Sequence, residues 1–139
     1  MTAPVRREVL VNASPDRAFE LFTGRIGDWW PLARFSVFGS GSVAFEGDRI
    51  VERLDEQESV WGEVTAWTPP GEVAFTWHPG YGSERATHVR VTFEAQDDRT
   101  LVTLVHSGWE RMTDPDASAD EYRNGWPGVL SSFQALVDA

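Results

Sequence analysis

The 139-residue chain contains no cysteine and no lysine. The first absence excludes disulfides, thiolate metal sites and a cysteine nucleophile, and it weakens the case for a small secreted scaffold. The second leaves arginine as the whole complement of 12 basic residues. Schiff-base chemistry, pyridoxal phosphate attachment and the lysine of a Walker-type phosphate loop are excluded with it. No stretch approaches the roughly 18 consecutive apolar residues of a membrane span, so no membrane insertion is expected. The opening Met1-Thr2-Ala3-Pro4-Val5-Arg6-Arg7 lacks the apolar core of a signal peptide, and a cytoplasmic location is the expectation. Positive charge is also scarce. Twenty-two acids against 12 bases give a net charge of −10, which disfavours nucleic acid and anionic membrane surfaces as partners.

Aromatic residues are plentiful: seven Trp, eight Phe and two Tyr. Large rings fill the core of a small domain, and they also wall ligand pockets. Position decides between the two uses. The length suits a single domain, residues 1–139, with a core that needs no covalent staples. No internal repeat or change of composition marks a second unit.

Val5 to Val11 is rich in β-branched residues and reads as a strand. Ser14-Pro15 is a helix start, and Ala18, Phe19, Leu21 and Phe22 follow at helical spacing before Gly24 stops the helix. Ile26 to Trp30 suits a further helical turn, ended by Pro31, and 31–42 is loop-like. Six strands follow: Ser42 to Glu46, Asp48 to Leu54, Ser59 to Trp67, Glu72 to His78, Ala86 to Ala95 and Thr100 to Ser107. A two-residue turn at Asp97-Asp98 sets Phe93 opposite Val102, Val91 opposite Leu104 and Val89 opposite His106, placing them on one sheet face. His88, Arg90, Thr92 and Glu94 fall on the other, wetter face. Tyr122, Trp126, Val129, Leu130, Phe133 and Val137 recur at helical steps. Ser118 with Glu121 fits a capping box there. Gly125, Pro127 and Gly128 predict a kink, or a second helix starting near Trp126.

The ordered set Ala13-Ser14-Pro15-Asp16, Trp29-Trp30-Pro31, Trp61-Gly62-Glu63-Val64, Thr68-Pro69-Pro70, Phe75-Thr76-Trp77-His78, Thr87 to Phe93, Leu104 to Trp109 and Gly125-Trp126 resembles the START-like superfamily (SRPBCC, Bet v-like). Within it, the branch related to the activator of the 90-kilodalton heat-shock protein ATPase is the most similar. The resemblance implies an α+β helix-grip fold, with a curved antiparallel sheet wrapped around a long C-terminal helix and a cavity between them. Hydrophobic-ligand binding, cyclase or hydrolase activity and chaperone regulation all occur on this fold, so the fold does not choose among them.

Trp30, Phe45, Trp77, Val91, Leu104, Trp109, Trp126 and Leu130 are the candidate cavity wall, with core packing the alternative for each. Trp61 and Trp67 read as core. His106 is the candidate polar group of the pocket. It can donate to a ligand or move a proton near neutral pH, or it is a core histidine tied to a carbonyl or water. Ser107 points away from it, and no Gly-x-Ser-x-Gly elbow is present. His88 lies on the opposite face and His78 points away from Phe75 and Trp77, so no metal is expected. Glu46, Glu52 and Glu63 lie on strands and could enter the pocket, with solvated charge on the sheet the first reading for each. Gly39-Ser40-Gly41 lacks the helix a phosphate loop requires. The expectation is therefore a small hydrophobic or aromatic ligand and no cofactor. A cyclase- or hydrolase-like enzyme using His106 and a chaperone co-regulator stand as alternatives.

Overall fold

The computed structural model describes Thr2–Ala139. Seven strands form one antiparallel sheet in the order β1-β7-β6-β5-β4-β3-β2. They are β1 (Val5–Val11), β2 (Ser42–Glu46), β3 (Arg49–Leu54), β4 (Gln57–Thr68), β5 (Glu72–Trp77), β6 (Thr87–Gln96) and β7 (Arg99–Ser107). The helices are α1 (Pro15–Gly24), α2 (Ile26–Trp29) and α3 (Pro115–Asp138). The sheet curves around α3, which is the helix-grip arrangement.

Local chemistry accounts for the turns and starts. Ser14 Oγ accepts from Arg17 N at 3.2 Å and Pro15 opens α1, as the start signal requires. The β6–β7 hairpin has the expected register: Phe93 faces Val102, Val91 faces Leu104 and Val89 faces His106. Its turn holds Asp97 at φ 58°, a left-handed conformation that Asp tolerates better than most residues. One strand crossing is unusually close. A Cβ on Gly62 of β4 would sit 1.7 Å from the Thr76 carbonyl of β5. Only glycine lets the two backbones meet there.

The core is the inner sheet face closed by helices. Val89, Val91, Phe93, Val102 and Leu104 are buried with Trp126, Val129, Leu130 and Phe133 of α3 and with Phe19 and Phe22 of α1. Val137 is only partly buried. Burial of each such side chain contributes roughly 1.5–3 kcal/mol, so α3 is held along most of its length.

Four expectations need correction. The helix does not begin at a Ser118–Glu121 box. Asp114 caps it by accepting from Ala117 N, with Pro115 in the first turn, so four more residues become helical. Nor does Pro127 split it: α3 runs unbroken through 24 residues. Pro127 does deprive the Arg123 carbonyl of its helical N–H, but Arg7 of β1 donates to that oxygen from Nε at 3.3 Å and from Nη2 at 3.1 Å. Trp67 is 49% exposed rather than core. A register shift between Val64 and Ala66 breaks the alternation of β4, and the indole packs only partly, on Phe19 and Phe45. Glu52 is not solvated charge but fully buried. Its Oε1 accepts from Val37 N at 2.8 Å and Trp61 Nε1 at 2.9 Å, and its Oε2 from Phe38 N at 2.9 Å. The loop after α2 folds over the carboxylate and supplies the donors that water would otherwise provide.

Candidate functional site

Where α2, the end of β5 and the first half of α3 meet, the rings of Trp30, Trp61, Trp77 and Trp126 form a cage. Trp30 is 5.1 Å from Trp61, 5.7 Å from Trp77 and 5.9 Å from Trp126 between centroids. Trp77 is 5.6 Å from Trp126. The outer side of this cage opens into a cleft of ≈ 240 Å³. One wall is the loop carrying Arg34, Phe35 and Val37; the other is Tyr122, Gly125 and Val129 of α3; Pro79 closes one end. A Cβ on Gly125 would meet the Phe35 ring at 3.4 Å, an ordinary contact, so helix and loop pack closely there.

Every indole N–H of the cage is bonded within the protein. Trp30 Nε1 donates to the Phe35 carbonyl at 2.6 Å and Trp61 Nε1 to Glu52. Trp77 Nε1 donates to the Tyr122 hydroxyl at 3.1 Å, and Trp126 Nε1 to His106 Nδ1 at 3.0 Å. Glu52 thus fixes both a cage indole and, through Val37 and Phe38, the loop wall.

His106 lies behind the cage with no exposure. Trp126 has only an N–H to offer, so Nδ1 of His106 must be the accepting nitrogen and Nε2 must carry the proton. Nε2 then donates to Thr87 Oγ1 at 2.6 Å, and Thr87 Oγ1 donates on to the Trp77 carbonyl at 3.1 Å. The ring also lies against Trp109 and Tyr122 at 4.2 and 4.6 Å. Burial, with a smaller contribution from His88, lowers its pKa to about 3. The imidazole is neutral, fixed in one tautomer and bonded at both nitrogens. It acts as a structural crosslink of α3, β7, β6 and β5 and has no free nitrogen for acid–base work.

Of the candidate wall residues, Trp30, Trp77 and Trp126 line the cleft. Val91, Leu104 and Leu130 are packed in the interior, and Trp109 is buried against His106. Phe45 packs on Phe75 and Trp67. The structure brings in Phe35 and Tyr122, which were not among the expected wall residues. Tyr122 was within reach of the sequence, because it precedes Trp126 by four residues and shares its helix face. Phe35 lies in a loop with no period to read.

On the outer sheet face His78 bonds Glu63 Oε2 at 3.1 Å and the Tyr81 carbonyl at 2.9 Å, and Thr76 Oγ1 donates to the same Glu63 oxygen at 2.7 Å. Thr76 and His78 hold the Glu63 carboxyl below its ordinary pKa, Thr76 being the larger influence. His88 Nε2 meets Thr65 Oγ1 at 3.1 Å. Among the described residues no three His, Asp or Glu side chains converge as metal ligands, and no helix is long and apolar enough to cross a membrane.

A family model described as activator of Hsp90 ATPase homolog 1-like protein matches residues 12–138. The solution structure of the Aha1 dimer from Colwellia psychrerythraea is similar in fold alone, with a TM-score of 0.72 at 18% identity over 99% of this chain and 97% of that one. An anthrahydroquino-γ-pyrone synthase, Txn09, complexed with SUM, is 31% identical, with a TM-score of 0.67 over 98% and 97% of the two chains. CalC, a self-sacrificing resistance protein from Micromonospora echinospora, is 26% identical, with a TM-score of 0.71 over 96% and 93%. No curated protein matches the sequence.

Proposed function

The chain belongs to the activator of Hsp90 ATPase homolog 1-like family of the START-like superfamily, and on that premise we propose that it binds a small planar aromatic molecule in the cleft between the 34–37 loop and α3. One observation carries this reading: three indoles and a phenol converge on an opening of ≈ 240 Å³. Flat rings stack on such walls in offset or edge-on geometry. The volume is below the roughly 300–1,000 Å³ of drug-sized sites, which suits two or three fused rings. The likeness to a protein named as an anthrahydroquino-γ-pyrone synthase supports the same ligand class.

Binding without turnover is the form the site favours. A cyclase- or hydrolase-like reaction with His106 as its acid or base would need a free ring nitrogen beside the substrate, and both nitrogens of His106 are occupied. The test is a titration of native protein with a panel of two- and three-ring aromatics, read by tryptophan fluorescence. Saturable quenching is expected, and Trp77→Ala should weaken binding about tenfold by removing a stacking wall. No saturable response across the panel would overturn the reading. Chaperone regulation is favoured by the family match alone. A pull-down with the chaperone, scored separately from small-molecule binding, tests it.

A further inference from the structure

We propose that Tyr122 is the polar anchor of the cleft, and that its hydroxyl selects neutral aromatic ligands bearing a ring carbonyl or similar accepting oxygen. The inference rests on the cleft being a ligand site and adds which ligands it prefers.

An aromatic lining discriminates among flat molecules only through polar groups it leaves unpaired. Arg34 on the loop wall is a charged donor, and its guanidinium lies over the Phe35 ring; of the neutral donors around the cleft, all but one are spent. The Trp30, Trp77 and Trp126 N–H groups bond the Phe35 carbonyl, the Tyr122 oxygen and His106 Nδ1. The nearby Ser36 hydroxyl donates to the Leu32 carbonyl. Tyr122 differs because a phenol both accepts and donates. Trp77 can only donate, so it uses a lone pair of the phenol and leaves the phenolic proton unspent.

That proton has no acceptor among the described side chains and carbonyls around it. The ring is flanked by Trp126 at 5.9 Å and Trp109 at 5.6 Å, whose nitrogens accept nothing. His106 is closer, at 4.6 Å, but both its nitrogens are taken. The remaining direction is the cleft, which Tyr122 lines. Burial raises the pKa of the phenol to about 12, so the group stays a donor at neutral pH. Arg34 and Glu121 both line the cleft and offset each other, which leaves the net charge of −10 to disfavour an anionic ligand. A neutral carbonyl on the edge of a planar ring system meets these conditions.

Xanthone and xanthene test the idea, because they share a tricyclic frame and differ in the carbonyl. Affinities are measured by calorimetry on wild type and Tyr122→Phe, with near-ultraviolet circular dichroism to confirm the fold. Wild type should prefer xanthone about tenfold, and Tyr122→Phe should bring that ratio close to one. A second readout does not depend on the variant folding. With tyrosine labelled at Cζ, the Tyr122 carbon should shift with xanthone and not with xanthene, while Tyr81 reports neither. Equal affinity of wild type for the two compounds, a preference that survives in Tyr122→Phe, or a silent Cζ would overturn the anchor and leave the cleft standing. Failure of both compounds to bind wild type would overturn the cleft reading and the anchor with it.

Discussion

Arg7 takes the place of a helical N–H for Arg123. The guanidinium on β1 donates twice to the carbonyl that Pro127, four residues further along the helix, leaves without its N–H. The helix therefore stays whole because a strand at the edge of the sheet completes its hydrogen bonding. The same contact ties the first half of α3, which forms one wall of the cleft, to the sheet it covers.

Arg7→Met should lower stability by about 1–2 kcal/mol, as expected for losing hydrogen bonds from a charged donor at a half-buried site. In a Pro127→Ala background the missing N–H is restored and the cost of Arg7→Met should fall to near zero. A double-mutant cycle by denaturant unfolding measures the coupling. Strict additivity would show that Arg7 does not compensate for the proline. In Arg7→Met, hydrogen exchange should also quicken at 115–126 and remain slow from 129 onward.

His106 makes the protein acid-sensitive. Its folded pKa, about 3, lies below the unfolded value of about 6.5. Between these limits the unfolded chain binds the extra proton, so stability rises with pH. The contribution is complete above about pH 6.5 and is lost progressively as pH falls toward 3. His106→Ala should depress the melting temperature strongly at pH 7, because Trp126 Nε1 and Thr87 lose their partner. Its stability should also vary less between pH 6 and 4, by up to about 1.4 kcal/mol per pH unit. A variant with unchanged melting temperature but altered ligand binding would assign His106 to the site instead.

Glu52→Gln preserves shape but not hydrogen-bonding polarity. Three N–H donors converge on the carboxylate, and an amide must turn its NH₂ toward at least one of them. The expected cost is about 1–3 kcal/mol for a buried donor left unsatisfied. Amide exchange at Val37 and Phe38 should quicken, since these two bonds anchor their loop. Unchanged protection there would show that the loop is held by other means.

The legible parts of this fold are those where one segment decides its own conformation. Ser14-Pro15 caps a helix by local chemistry, and the Asp97-Asp98 turn sets a register because alternation leaves one choice that buries the apolar residues. The inward direction of His106 followed from that register. Its inertness did not, since its partners Thr87 and Trp126 lie 19 and 20 residues away and the bond from Trp126 depends on how α3 docks. Glu52 was misread for the same reason: its burial is conferred by a loop without periodicity. The unbroken helix at Pro127 depends on an arginine 116 residues from the carbonyl it satisfies. Trp30, Trp77 and Trp126 were identifiable as wall candidates, but which of the many inward aromatics border the opening depends on helix docking and loop path.

The cleft is held in part from outside itself. Its loop wall is pinned by Glu52 and its helix wall by Arg7, and neither side chain is part of the lining. The lining adds ties of its own, Trp30 to the Phe35 carbonyl and Trp126 to His106, so the two latches share the walls with the residues that face the opening. A substitution at either latch is expected to alter the spacing of the walls without changing the rings that face the opening. If the proposed ligand site holds, the girth of what it admits should answer to Glu52 and Arg7, two charged positions outside the lining.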